Sequence, residues 1–253
     1  MTTRAYALEA KYEFLKLWRM PAYAIPSIAF PVMFYALFGL TFGGGRVTGS
    51  TTMAAYLIAT YGAFGVIGAS LFGFGVGVAV ERGQGWMTLK RATPMPPLAY
   101  FAAKLAMAAL FSAIIVLLLG AMGAAFGGVS FPAATWVRIF VTLVLGAIPF
   151  GALGLAIGYL AGPNSAPALV NVLYLPLSFA SGLWIPIEAL PPFMRALAPF
   201  LPPYHLAQLA LGAIGADRGA PAWTHALVLA GFTAAGIGVA LWGYRRDEDK
   251  TWG

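Results

Sequence analysis

The sequence predicts an all-α membrane protein with six transmembrane helices. Hydrophobic residues make up 60% of the chain and charged residues only 9%, whereas about a quarter of the residues in a soluble domain are charged. The few charges leave long uncharged runs that equal or exceed the roughly 20 residues needed to cross a bilayer as a helix. A bilayer must therefore cover the apolar surface that these charges cannot. We interpret residues 1–253 as one transmembrane domain.

Turn signals divide the uncharged runs into spans. The longest run extends from Ile139 to Ile187 and is interrupted by Gly162-Pro163-Asn164-Ser165. Proline lacks a backbone donor, and glycine and asparagine tolerate turn conformations, so this tetrapeptide separates two spans. The predicted spans lie near residues 21–42, 53–79, 98–126, 136–161, 166–186 and 222–243. The first span lacks a small-residue cleavage site ahead of a polar region and is expected to stay in the mature protein.

The distribution of Lys and Arg predicts the orientation. Eleven of the 15 positive residues fall on the side that carries both termini: Arg4, Lys11, Lys16, Arg19, Arg82, Lys90, Arg91, Lys104, Arg245, Arg246 and Lys250. Since positive residues favour the cytoplasmic side, both termini are expected in the cytoplasm, with the chain in the cell (inner) membrane. The net charge of +7 is then a topology signal and a contact with anionic membrane lipids. Nucleic acid is not an expected partner.

Two polar segments on the predicted cytoplasmic side stand out. Residues 4–19 mix aromatic residues with Lys, Arg and Glu before Pro21, which favours an amphipathic helix in the membrane interface over a solvated helical cap. The loop 81–97 has a central Trp86-Met87 pair among basic residues and a potential short helix that Pro94 would end. It is either a docking site for a partner or an interfacial linker anchored by its tryptophan.

A proline-broken segment occupies the predicted outer side between the last two spans. Residues 187–205 contain five prolines in an otherwise apolar stretch, so they cannot form one straight helix. The part from Leu190 to Leu201 is too short to cross, which favours a re-entrant or interfacial helix. Residues 204–216 are expected to form another short helical piece.

The sequence offers little catalytic or metal-binding chemistry. The acids between the first and last spans are Glu81, Glu188 and Asp217, all expected in loops. His205 and His225 have no carboxylate or second histidine at ligand spacing and are expected to be polar interfacial residues. The chain has no cysteine and no phosphate-binding loop, so neither a thiolate metal site nor ATP binding by this chain is expected.

Small and polar residues within the spans leave alternatives open. Glycines at helical spacing, such as Gly154 and Gly158, allow close helix packing, either within one chain or across a dimer. Side chains such as Asn171, Ser178 and Ser181 could line a path or simply bond to helix carbonyls.

Three segments together resemble the membrane subunit of ABC-2 type transporters. These are the helix before span one, the loop ERGQGWMTLKRATPMPP and the segment SGLWIPIEALPPFMRALAPFLPPYH, residues 181–205. In the loop, an acidic start, Thr88-Leu89 and Thr93-Pro94 match the family pattern. The outer segment is similar to it in Ser181-Gly182 and Leu190-Pro191-Pro192, whereas Leu201-Pro202-Pro203 replaces the Asn-Pro that many members show.

The resemblance implies an exporter that pairs two six-helix permease subunits with two ATPase subunits. This chain would carry no cofactor, because ATP and Mg²⁺ would bind the partner ATPase. The compact outer loops favour a drug-like or lipid-like, amphipathic substrate. The implied ATPase-coupling residues are Glu81, Arg82, Trp86, Thr88, Leu89 and Arg91. The polar side chains of span five predict a substrate path with Asn171, Ser178 and Ser181, and the outer gate is predicted to contain Pro186, Glu188, Tyr204 and His205.

Two other functional classes compete with this interpretation. A stand-alone secondary transporter normally carries ionisable residues inside its spans, and the sequence predicts none there. A membrane-embedded enzyme needs a cluster of polar catalytic residues, which the sequence does not show. An ABC permease, with its path at a homodimer interface formed by spans two and five, remains the preferred interpretation.

Overall fold

The computed structural model describes residues 2–49, 51–93 and 96–248. The described part is helical apart from loops and a short hairpin of β1 (Arg46–Thr48) and β2 (Thr51–Thr52). The first four helices are α1 (Thr2–Trp18), α2 (Pro21–Phe34), α3 (Met53–Ser70) and α4 (Gly77–Gly83). The remaining helices are α5 (Trp86–Arg91), α6 (Pro97–Ala125), α7 (Ala133–Leu145), α8 (Ala147–Leu160), α9 (Ala166–Ala180), α10 (Pro192–Leu197), α11 (Pro202–Gly212) and α12 (Ala222–Glu248).

Five helices of the described chain are long and apolar enough to cross a membrane. They cover Tyr23–Leu40, Met53–Gly83, Leu98–Ala125, Ala133–Leu160 and Ala222–Arg246. Each overlaps one of the predicted spans, so five of the six predictions are confirmed as apolar helices of sufficient length. Two of these helices contain π-helical turns, at Tyr35–Leu40 after α2 and at Leu71–Val76 between α3 and α4.

The helix at the predicted fifth span, α9, is shorter than the sequence indicated. Its 15 residues extend about 22 Å at the usual helical rise, against a hydrocarbon core of about 30 Å. It ends because Gly182 adopts a left-handed conformation with φ of 76°. The Gly182 amide then bonds to the Phe179 carbonyl and the Leu183 amide to the Ser178 carbonyl, which is the Schellman arrangement that closes a helix.

The second span is the centre of the bundle. Nearly every residue of α3 is buried, since α2, α6, α8 and α11 all pack around it. Glycines of α8 allow a close approach to the second half of this span. A Cβ at Gly154 would lie 3.0 Å from the Phe74 Cβ, and one at Gly158 would lie 2.9 Å from the Val78 Cβ. These glycines therefore serve packing within one chain, one of the two alternatives left open by the sequence.

The predicted cytoplasmic loop, residues 81–97, begins with a tight turn and continues into α5. Gly85 joins α4 to α5 with φ of 76°, a conformation that side chains rarely adopt. The short helix predicted in this loop is confirmed as α5. Pro94, predicted to end it, lies outside the described residues.

The outer segment is made of short helical pieces. Single 3₁₀ turns at Ile187–Ala189 and Ala198–Phe200 flank α10, and α11 follows directly. This confirms the short helices predicted between the last two spans. The residues of α11 are largely buried, and they pack against α3, α7 and α12.

Candidate functional site

A large apolar groove lies between α2, α9 and the long helix that runs from α3 to α4. Its volume is about 750 Å³. The helices leave a gap along this side of the bundle, and this gap is the groove. The α2 helix contains Pro26 and Pro31, and both of them line the groove.

Aromatic rings make up much of the groove wall. The rings of Phe64 and Tyr174 stack with their centroids 4.7 Å apart, and Phe34 stacks on Trp184 at 5.6 Å. The Tyr174 hydroxyl donates to the Phe64 carbonyl at 2.9 Å. Because this polar group is bonded to backbone, the wall presents ring faces and edges to a ligand. Such a surface fits flat or flexible apolar groups.

The end of the groove near α1 is polar. Lys16, Glu81 and Gln84 line it there, next to the indole of Trp86. The groove therefore offers an apolar body and a charged, hydrogen-bonding end. This combination matches an amphipathic molecule.

Four charged side chains and one tyrosine form a buried network at that end. The Lys104 ammonium donates to a Glu13 oxygen at 2.7 Å and to a Glu81 oxygen at 3.1 Å. Lys16 donates to Glu13 at 2.7 Å and also contacts Glu81. The Tyr100 hydroxyl donates to the second Glu81 oxygen at 2.6 Å. The network links α1, α4 and α6, so a movement of any one of these helices must displace charges held by the other two.

Burial and charge act in opposite directions on Lys16 of this network. Burial by itself would lower the pKa of the Lys16 ammonium, but the Glu81 and Glu13 carboxylates outweigh it and raise the pKa above its ordinary value. Lys16 therefore stays charged at neutral pH. The network then holds two positive and two negative groups, which compensate one another.

The network corrects two expectations from the sequence. Glu81 lies in α4 and is buried, and so is not in a solvated loop. Lys104 is buried inside α6, although the span interiors were expected to lack charges. Glu13 of α1 is also buried, so this face of the helix packs against protein. Only a weak pattern in the sequence indicated this network: its charged residues flank apolar runs on the same predicted side of the membrane.

The structure separates the predicted coupling residues into anchored and exposed ones. Arg82 donates to the Gly158 carbonyl at 2.6 Å, and its guanidinium lies 5.2 Å from the centre of the Tyr159 ring, so it anchors α4 to α8. Trp86 and Leu89 of α5 are exposed, with 46% and 68% of their surface accessible.

Two further predicted coupling residues, Thr88 and Arg91, also belong to α5, but their side chains lie outside the described part.

Only one of the predicted path residues lines the groove. Asn171 does so and donates to the Pro167 carbonyl at 3.1 Å. Ser178 and Ser181 are buried, and their hydroxyls have no hydrogen-bond partner within the described residues. The groove residues that sequence reasoning missed are the aromatic ones, because an aromatic residue in an apolar run is indistinguishable from a core residue.

The predicted gate residues lie within or next to the outer segment, but their surroundings differ. Pro186 begins the 3₁₀ turn that holds Glu188, whose carboxylate is 3.8 Å from the Arg218 guanidinium in an exposed ion pair. Tyr204 and His205 are buried in α11. His205 contacts His225, a contact that the spacing of the two histidines in the sequence did not indicate. Across the described residues, no group of three or more His, Cys, Asp or Glu side chains could hold a metal ion.

The long apolar helices around an open, aromatic groove define a multi-pass membrane protein of the transporter class. Comparison with known proteins is consistent with this. The sequence model of the ABC-2 type transporter family matches residues 5–214, so the chain belongs to the ABC-2 type transporter family.

A curated relative has similar length. The chain is 27% identical over 217 residues to "Putative transport permease YvfS" of Bacillus subtilis (strain 168). The alignment covers 86% of this chain and 87% of that protein.

Proposed function

We propose that this chain is the permease subunit of an ATP-driven ABC exporter for an amphipathic, drug-like or lipid-like substrate. The observation that carries the proposal is the 750 Å³ aromatic groove with a charged end next to α5. Substrate would bind in the groove between spans one, two and five, with α9 as a short fifth span. A second copy of the permease would complete the path, because the exposed apolar side chains Ile25, Phe30, Leu169 and Val172 of α2 and α9 flank the groove.

The energy for transport would come from a separate ATPase subunit that binds ATP and Mg²⁺. The exposed Trp86 and Leu89 of α5 provide an apolar contact for that partner. The charged network connects the same region to α1 and α6. Movement of the loop that binds the ATPase would therefore be transmitted through Glu81 to the helices that line the groove.

We expect both termini to lie in the cytoplasm of a cell whose inner membrane holds the protein. The measurement uses reporter fusions at Thr2 and at Gly253. At each site one reporter is active only in the cytoplasm and another only in the periplasm. Cytoplasmic activity is expected at both ends because most positive residues fall on that side. Periplasmic activity at Gly253 would contradict the orientation and, with it, the docking side of α5.

A cysteine at Asn171 tests the groove as a transport path between two subunits. The natural chain has no cysteine, so Asn171→Cys is the single reactive thiol. We expect a bifunctional thiol reagent to link two subunits, and bound substrate to slow labelling. Ser178→Cys is expected to react only when ATP turnover opens the buried face.

Two controls make the result interpretable. Leu117→Cys lies on an exposed part of α6 away from the groove and should not link subunits, and Ala220→Cys in an exposed loop should react freely. If Ala220→Cys reacts while Asn171→Cys and Ser178→Cys neither link nor react in any nucleotide state, the path lies elsewhere.

A further inference from the structure

Two histidines meet where α11 packs against the start of α12. The Nδ1 atoms of His205 and His225 are 2.8 Å apart, and both side chains are only 4% exposed. The Nε2 atom of His205 lies 2.9 Å from the Pro199 carbonyl. The contact joins residues on either side of the loop 213–221. It also connects the outer segment to the sixth span.

The Pro199 carbonyl fixes which nitrogen atoms carry protons. A carbonyl only accepts, so the Nε2 atom of His205 donates and carries its proton. In a neutral imidazole the Nδ1 atom of His205 is then an acceptor, and the Nδ1 atom of His225 must be the donor. That leaves the Nε2 atom of neutral His225 without a proton. This atom is buried and has no hydrogen-bond partner within the described residues.

The pair cannot hold two positive charges in this geometry. A first added proton at the free Nε2 atom of His225 would leave the bond intact but create a buried cation. A second proton would have to enter at the Nδ1 atom of His205, where it would face the N–H of His225 across 2.8 Å. Two donors cannot share a hydrogen bond, and two imidazolium rings repel each other. The contact is therefore specific to the neutral or singly protonated pair.

Titratable and charged side chains surround the pair. Tyr204 packs against both histidine rings, and Asp217 interacts electrostatically with His225. Tyr56, Glu188 and Arg218 surround Tyr204 in turn. Carboxyl groups normally titrate near pH 4, tyrosine near 10 and arginine above 12, whereas histidine titrates near 6.5. Histidine is therefore the side-chain type here whose ordinary pKa lies in the range of mild acidification.

We propose that His205 and His225 form a proton-sensitive latch, in which the neutral pair holds α11 against the first turn of α12 and double protonation separates the two helices. Opening would loosen the outer segment that precedes α11, while the charged network at the other end of the bundle stays paired.

Linkage gives the direction of the effect. Burial lowers the pKa of His205, and the bond to the Pro199 carbonyl offsets only part of this. A base with a lowered pKa in the folded state stabilises the fold above its unfolded pKa of about 6.5. That contribution is lost as the pH falls through the lower, folded pKa. The latch is closed at neutral pH and opens in mild acid.

The test compares the purified full-length protein at about pH 7.5 and 5, which bracket the ordinary histidine pKa. Hydrogen exchange is measured in peptides covering 199–212 and 222–229, corrected for the intrinsic pH dependence of exchange, with EDTA present. In acid we expect exchange in both peptides to accelerate by about tenfold, and the melting temperature to fall by about 2–4 °C. Peptides from α6 serve as the internal reference.

His225→Asn is the matched variant. An amide can donate to His205 at neutral pH and accept from it in acid, so the bond survives and the acid response should disappear. His205→Gln, whose amide can still donate to the Pro199 carbonyl, should likewise remove it and provides a second variant. The latch is refuted if wild-type exchange at 199–212 does not respond to acid, or if folded His225→Asn responds as the wild type does.

Discussion

Replacing Glu81 by Gln is expected to cost the protein at least 3 kcal/mol of stability. The substitution leaves one carboxylate, Glu13, for two ammonium groups, and the Lys104 side chain is only 2% exposed. Removing one partner of a buried ion pair costs roughly 3–5 kcal/mol, because the charge that remains is desolvated without compensation. In a chain of this size that corresponds to a fall in melting temperature of about 6 °C or more. The measurement is thermal unfolding of the purified protein.

Two variants isolate the charge as the cause. Glu81→Gln combined with Lys104→Met removes one charge of each sign, keeps Lys16 paired with Glu13, and should recover most of the lost stability. Glu188→Gln removes an exposed carboxylate, 56% accessible and 3.8 Å from Arg218, and should change stability by less than about 1 kcal/mol. A Glu81→Gln protein as stable as Glu188→Gln would show that the network contributes nothing to the fold.

The spans could be predicted because they depend on local composition. A membrane helix needs only a run of apolar residues of sufficient length, and the ends at Met53 and Ala125 agree with the sequence to within a residue. The end of α9 was misplaced by six residues for a physical reason. Ser181 and Gly182 continue the uncharged run, but Gly182 is the residue whose left-handed conformation closes the helix.

The charged network could not be predicted because its members are distant in sequence. Lys104 and Glu13 are separated by 91 positions, and Lys16 and Glu81 by 65. Each charge alone resembles a solvated helix end or a topology signal. Only the packing of α1 against α6 buries them together, and no periodicity in either helix records that contact. The histidine pair was missed for the same reason, since 20 residues and a loop separate its members.

Of the path residues predicted from the sequence, one lines the groove and the other two do not. Asn171 was selected because polar residues in spans are rare, and it does line the groove. Ser178 satisfied the same criterion but faces the protein interior and is fully buried. Polarity identifies a candidate side chain, whereas helix rotation decides which way it faces. That rotation is set by contacts such as the stacking of Tyr174 on Phe64.

Charged substitutions on α5 are expected to weaken coupling to an ATPase strongly while leaving the permease folded. Trp86 and Leu89 are the exposed apolar residues of this helix, so they are the candidates for a buried contact with the partner. Losing an interface anchor typically costs 2 kcal/mol or more. Trp86→Glu with Leu89→Glu should therefore weaken ATPase binding by about thirtyfold or more and reduce ATP-driven transport accordingly.

The measurement is binding and stimulated ATP hydrolysis with the purified partner ATPase, after reconstitution in lipid. Phe200→Glu is the control, because Phe200 is also an exposed aromatic residue, but lies in the outer segment, on the side opposite to α5 in the proposed topology. It should leave ATPase binding unchanged. The double variant is expected to fold, since neither side chain belongs to the buried core. If the double variant has the wild-type melting temperature and still binds and stimulates the ATPase as the wild type does, α5 is only an interfacial linker and the ATPase docks elsewhere.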